Sequence, residues 1–184
     1  NITPGPHECG SPAWFPDSER LAFGLNRRRT DFASDVAIAD ITASPAEGEL
    51  PYELLTNGTG SYDNPMVTAD GAHVVVGGYD DPQWYPQNCH LGLLHPGHVA
   101  SPDWITKSVD RNWMPFIAGQ APVWAPDRSI VAAVEDRGNT HLYRMSLDEG
   151  STPQKVLTGD LNITGYSAGD LHGSNVIAHT AAKR

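Results

Sequence analysis

APVWAPDRSIVAAVE, residues 121–135, decides how this chain is built. Pro122 leads into an apolar pair, Pro126 and Asp127 form a turn, and Ile130 opens a continuous apolar run. Proline presets φ at a turn, and an aspartate folds its carboxylate back onto the turn backbone. Short runs of Val, Ile and Ala bounded in this way are strands rather than helices. The same order recurs upstream in SPAWFPDSERLAFGL from Ser11 and in NPMVTADGAHVVVGG from Asn64. Trp14, Val67 and Trp124 are the equivalent positions. Asp70-Gly71 in the middle copy is the signal of a tight hairpin.

Each copy continues into a second apolar strand: DVAIADI at 35–41, CHLGLL at 89–94 and HLYRMSL at 141–147. ELLT at 53–56 and KVLT at 155–158 close two copies, and DWIT at 103–106 stands in that place in the middle one. Four short strands repeated at about 40–50 residues make a β-propeller blade. The predicted fold class is all-β, a partial β-propeller of about three to four antiparallel four-stranded blades. A single propeller fragment spans 1–184, with blades near 10–58, 63–107 and 120–158 and a partial one at 163–184. The tryptophans are expected between neighbouring blades, in the wedge where sheets stack. A β-sandwich with coincidental turns is the competing architecture. NITPG at 1–5 looks like the tail of a preceding blade, and NVIAHTA at 175–181 has no closing partner. A piece of a longer protein is therefore expected, with bare sheet faces that favour self-association.

Composition fits this architecture and narrows the function. The 184 residues contain 18 Gly and 15 Pro, with 39% hydrophobic residues, enough for a core interrupted by many turns. A net charge of −10 argues against a nucleic-acid surface. No apolar run approaches the roughly 20 residues that span a bilayer, so no membrane partner is expected. Cys9 and Cys89 make no disulfide scaffold, although a single bridge is possible. Asn1, Asn57 and Asn162 each begin an N-glycosylation sequon, a weak signal. Acidic composition and scarce cysteine fit a cytoplasmic location.

GYSAG, residues 165–169, matches the G-x-S-x-G turn that presents a nucleophilic serine in α/β-hydrolases. That turn must pass from a strand into a helix whose N-terminus faces the oxyanion. DLHGSN at 170–175 has no helical periodicity, and too few residues follow Gly169 to supply the later acid and histidine. Ser167 is read as a chance match and no catalytic residue is expected; a small esterase using Ser167 is the alternative. Cys89, His90, His95 and His98 fit no compact zinc spacing, so no metal and no cofactor are expected. Asp80-Asp81 and Glu135-Asp136 are acidic pairs that could hold a cation or a peptide amino terminus; the default reading is hydrated loops. DDPQWYPQN, 80–88, is the best binding candidate, because its prolines present Trp84 and Tyr85 on a stiff segment.

PAWFPDSERLAF and PVWAPDRSIVAAVEDRGNTHLYRM resemble the propeller repeats of prolyl oligopeptidase family serine peptidases, above all their acylaminoacyl-peptidase-like branch. The second stretch carries the specific part: Pro122, Trp124, Pro126 and Asp127, then the acidic turn Glu135-Asp136-Arg137-Gly138 and the strand His141-Leu142-Tyr143. SVDRN at 108–112 is similar to the segment preceding that blade, and the generic features are shared with TolB-type propellers. The resemblance implies a non-catalytic domain over a separate α/β-hydrolase domain, restricting access to short peptides. The hydrolase domain of the same parent chain and short peptides are then the partners. A TolB-like protein- or ligand-binding module is the alternative.

Overall fold

The computed structural model describes residues 7–27, 32–44, 52–84, 86–114, 120–171 and 174–181, with side chains placed as far as residue 169. The described residues form strands and turns. β1 (Glu8–Trp14), β2 (Arg20–Asn26), β3 (Asp35–Asp40) and β4 (Glu53–Leu54) make the first sheet. The second holds β5 (Gly60–Val67), β6 (Val74–Asp80), β7 (His90–Leu94) and β8 (Asp103–Trp104). In the third are β9 (Val123–Trp124), β10 (Ile130–Asp136), β11 (Asn139–Met145) and β12 (Gln154–Leu157). β13 (Ile163–Leu171) and β14 (Ser174–Ala181) pair as a hairpin. Each of the three four-stranded sheets is a meander in chain order, and the predicted all-β class is what the chain adopts. The second strands DVAIADI, CHLGLL and HLYRMSL lie where the apolar runs place them, in β3, β7 and β11.

The chain divides into two compact units. One comprises Asn1–Gln87 and Leu91–Ile105, the other Asn88–His90 and Thr106–Arg184. In the first unit Phe15, Ala22, Val36, Ile38 and Leu55 pack with Tyr62, Val74, Val76 and Leu94 of the second sheet in one buried cluster. In the second unit Ala125, Val131, Ala133 and Leu142 pack with Ile163 and Tyr166 of the β13–β14 hairpin. The two clusters repeat one design. Phe15 and Ala125 follow the conspicuous tryptophans, and Tyr62 and Tyr166 come from the first strand of the next sheet. Single parallel bridges, Ser34 with Ser61 and Thr140 with Asn162, tie each pair at the same place. Gln120 clasps the outer edge of β13: its Oε1 accepts the Tyr166 N–H at 3.0 Å and its Nε2 donates to the Tyr166 carbonyl. The Tyr166 phenol donates to Ala121 O at 2.9 Å, and burial pushes its pKa up to about 12.

The tryptophan expectation needs correction. Trp14 is 58% exposed and fills no wedge; Phe15, 1% exposed, does that work in its place. Successive side chains on a strand point to opposite faces. A repeat recognised by its most visible residue therefore does not say which face that residue takes. Val67 packs half-buried against the core, and Trp124 is also half-buried.

The aspartate turns are present in all three sheets with one geometry. Ser18, Gly71 and Arg128 N–H donate to Phe15, Thr68 and Ala125 carbonyls at 3.1, 2.8 and 2.9 Å, the i→i+3 bond of a β-turn. Asp17, Asp70 and Asp127 each accept a backbone N–H two residues on, at 2.9, 3.0 and 3.2 Å. The tight hairpin expected at Asp70-Gly71 is a wider loop. Thr68 N–H donates to His73 O at 3.0 Å, and the Asp70 carboxylate takes the Thr68 hydroxyl as well as Ala72 N–H. The residue after each aspartate is left-handed, with φ of 60° at Ser18, 70° at Gly71 and 66° at Arg128. Only the middle sheet supplies glycine there. Arg128→Gly is expected to stabilise the chain by up to about 1 kcal/mol, since glycine meets no Cβ penalty at that φ. A thermal melt showing a lower midpoint would contradict this.

Candidate functional site

The segment after β6 is braced from within. Asp81 has φ 52°, its carbonyl accepts Trp84 N–H at 3.1 Å, and its Oδ1 accepts Gln83 N–H at 3.3 Å. Gln87 Nε2 donates to the carbonyls of Asp80 and Asp81 at 3.0 and 2.9 Å, closing the loop onto its own base. The Asp80 carboxylate accepts the Tyr62 hydroxyl at 3.1 Å and the Trp104 indole N–H at 2.7 Å. At the apex Trp84 stands 76% exposed. A fixed backbone thus holds an indole in water, with little conformational freedom left to lose on binding. Tyr85 lies outside the described residues. Asp80 is no hydrated loop carboxylate, because buried Tyr62 and half-buried Trp104 both donate to it; Asp81 is exposed.

The second acidic pair is also put to structural use. Asp136 accepts from Arg111 Nε at 2.6 Å and Lys155 Nζ at 3.5 Å, with His141 Nδ1 at 3.9 Å. The Arg111 guanidinium is the main cause that lowers the Asp136 pKa below the usual carboxylate range. Its neighbour Glu135 receives Asn112 Nδ2 at 3.4 Å, and Glu135 N–H donates to Asn112 O at 2.9 Å. Sequence reading singled out the 108–112 segment without seeing what it touches. It lies across β10 through these bonds.

The His95 ring meets His73 edge-on, with centroids 4.8 Å apart. His90, its pKa lowered by burial, has Thr106 Oγ1 at 3.4 Å and Asp110 at 3.9 Å. His95 lies in a turn closed by the His98 N–H to His95 O bond, and pairs with Asp103 at 3.4 Å. Among the described residues no three His, Cys, Asp or Glu side chains are placed to hold a metal. Cys9 and Cys89 are both free thiols, and burial pushes the Cys89 thiol up, away from reactive thiolate.

Ser167 is mid-strand. It pairs with Ala178 across the β13–β14 hairpin, so GYSAG runs extended from strand into strand rather than turning into a helix. No elbow forms here.

Acid sensitivity follows from the aspartates. Hydrogen bonds from Arg144 and Ser129 lower Asp127 from 3.8 to about 2. Asp17, Asp40 and Asp70 are lowered by local hydrogen bonds in the same direction. A depressed native pKa contributes stability above the unfolded value that is lost as pH falls through the folded one. Asp127 is 46% exposed, so screening limits its share to under about 1 kcal/mol. The melting temperature is expected to fall between about pH 4 and pH 2, less steeply in Asp127→Asn. Equal slopes in the two proteins would contradict the assignment.

No protein-family model matches the chain, and no curated protein matches its sequence significantly. Solved structures do match. A protein described as TolB from Agrobacterium tumefaciens is 18% identical with a TM-score of 0.61, covering 97% of this chain and 60% of that one. Acylaminoacyl peptidase from Pyrococcus horikoshii is 12% identical with a TM-score of 0.60, covering 89% of this chain and 23% of the enzyme. The β-propeller domain of the Trilobed protease from Pyrococcus furiosus is 14% identical with a TM-score of 0.57, covering 88% and 45%. The chain spans three-fifths or less of the length of each. At such identities the likeness establishes fold: the sheets are blades of a β-propeller, as in TolB and in the propeller domains of these peptidases.

Proposed function

We propose that this chain is the non-catalytic propeller part of a serine peptidase of the acylaminoacyl-peptidase and prolyl-oligopeptidase type, where it governs which peptides reach a separate α/β-hydrolase domain. The proportion of the match carries the reading: 89% of this chain aligns with only 23% of an acylaminoacyl peptidase. The sequence resemblance to such enzymes across Pro122–Tyr143 supports it independently. A narrow path through or beside the blades admits a short unfolded peptide and excludes a folded protein. The partners are then the hydrolase domain and short peptides, in the cytoplasm, and Ser167 takes no part in chemistry.

The test compares this chain with the protein encoded when its gene is read beyond Arg184. The peptidase reading expects a downstream G-x-S-x-G, followed by Asp and His within about 200 residues. It also expects peptide hydrolysis by the longer protein and none by this chain, unchanged in both by Ser167→Ala. Hydrolysis that disappears with Ser167→Ala would overturn it. The match to TolB, which covers 97% of this chain, favours a second reading as a binding module. That reading expects a stop or further blades downstream and no hydrolysis.

A further inference from the structure

No Lys or Arg stands between Arg29 and Lys107, a stretch that holds eleven Asp and Glu. The whole second sheet, β5–β8, lies within it. Trp84, on the loop after β6, is the most exposed of the large apolar side chains described, at 76%. The π-face of an indole is electron-rich and attracts cations, Arg and Lys heads included. Arg27 pairs with Asp35, one of the eleven, and the excess of acid that is left raises the local concentration of such cations and repels anions. Asp81 is exposed at the base of the same turn, three residues before the indole, with its carboxylate held by Gln83 N–H. Gln87 ties the base of the loop through the Asp80 and Asp81 carbonyls. The site is built before any ligand arrives.

We propose that the Trp84 loop docks a cationic peptide segment, through an Arg or Lys side chain set on the indole face with Asp81 as counter-ion. This rests on the reading of the chain as a domain that meets peptides, and it names their class. A nucleic acid or an anionic membrane is disfavoured by the same charge that recruits the peptide.

Titration of the full chain with a tetra-arginine peptide tests the idea, beside a citrulline peptide of matching shape without charge. Calorimetry reads affinity, and the indole N–H signal that Trp84→Ala removes reports the site. Tetra-arginine is expected to bind at least about tenfold more tightly than the citrulline peptide. Trp84→Ala should weaken it about tenfold, and Asp81→Asn about threefold with a flatter dependence on salt. Trp84 is exposed, so its variant keeps the fold. No binding, equal binding of both peptides, or wild-type affinity in Trp84→Ala overturns the proposal. Such a failure leaves the peptidase reading to its own hydrolysis test. Binding through Trp84 in a protein whose longer form hydrolyses nothing would keep the docking site and discard the peptidase.

Discussion

Trp113→Ala is expected to lower the stability of its unit by about 3–5 kcal/mol, a large part of the roughly 5–15 kcal/mol that holds a domain folded. Trp113 is 1% exposed and heads the fully buried side chains by size among the described residues. Its ring meets Tyr143 edge-on with centroids 5.4 Å apart, and its indole N–H donates to Val109 O at 3.1 Å. Its backbone N–H donates to Cys89 O at 2.9 Å. The residues around it form no long strand, so the ring itself pins the 108–114 segment onto β10 and β11. That pinning sets Arg111 against Asp136. Truncation leaves a cavity, which carries most of the cost, and removes one of two donors from the Val109 carbonyl, which still accepts Arg111 N–H at 2.8 Å. Trp113→Phe keeps the aromatic contact and loses the donor, for about 1–3 kcal/mol. Urea unfolding followed by far-ultraviolet circular dichroism separates the two. A loss under about 1 kcal/mol for the alanine variant would show that the ring is not packed as described.

Which parts of this were legible beforehand follows from the range of each interaction. The strands β3, β7 and β11 could be read because apolar runs bounded by turn residues are local signals. The aspartate turns could be read for the same reason, since Asp17, Asp70 and Asp127 bond within a few residues of themselves. The width of the Thr68–His73 loop could not, because Thr68 and Asp70 side chains compete with a tighter hairpin for the same backbone groups. Trp14 was misplaced because side-chain parity depends on where pairing starts; it pairs with Leu21, and only register fixes its face. Trp84 was found because flanking prolines mark a presented loop. Its brace, Gln87 on two carbonyls with Asp80 between Tyr62 and Trp104, joins residues distant in sequence. Trp113 escaped notice entirely: it belongs to no repeat, and its partners Cys89 and Tyr143 lie on either side of it at long range.

Gly78→Ala is expected to cost about 3–5 kcal/mol by the opposite mechanism, an atom too many. Gly78 is buried in β6 with φ 155°, and a Cβ there would stand 2.1 Å from Ser61 O and 3.0 Å from Tyr62 Cα. Those are backbone atoms of the paired strand, so no side chain can rotate away; β5 must separate from β6. Gly97→Ala is the control, for it also has positive φ, 84°, but open space around the added atom. It should lose only about 1 kcal/mol, the conformational cost alone. Calorimetric melts are expected to show a drop of more than about 10 °C for Gly78→Ala and a small one for Gly97→Ala. Equal drops would mean that strain in φ, rather than contact with β5, sets the cost. The displacement has a second consequence at the loop. Tyr62 pairs with Gly78 and donates to Asp80, which also holds Trp104. Pushing Tyr62 outward therefore loosens the base on which Trp84 stands. Gly78→Ala should weaken tetra-arginine binding without touching any group that meets the peptide, whereas Gly97→Ala should leave it unchanged.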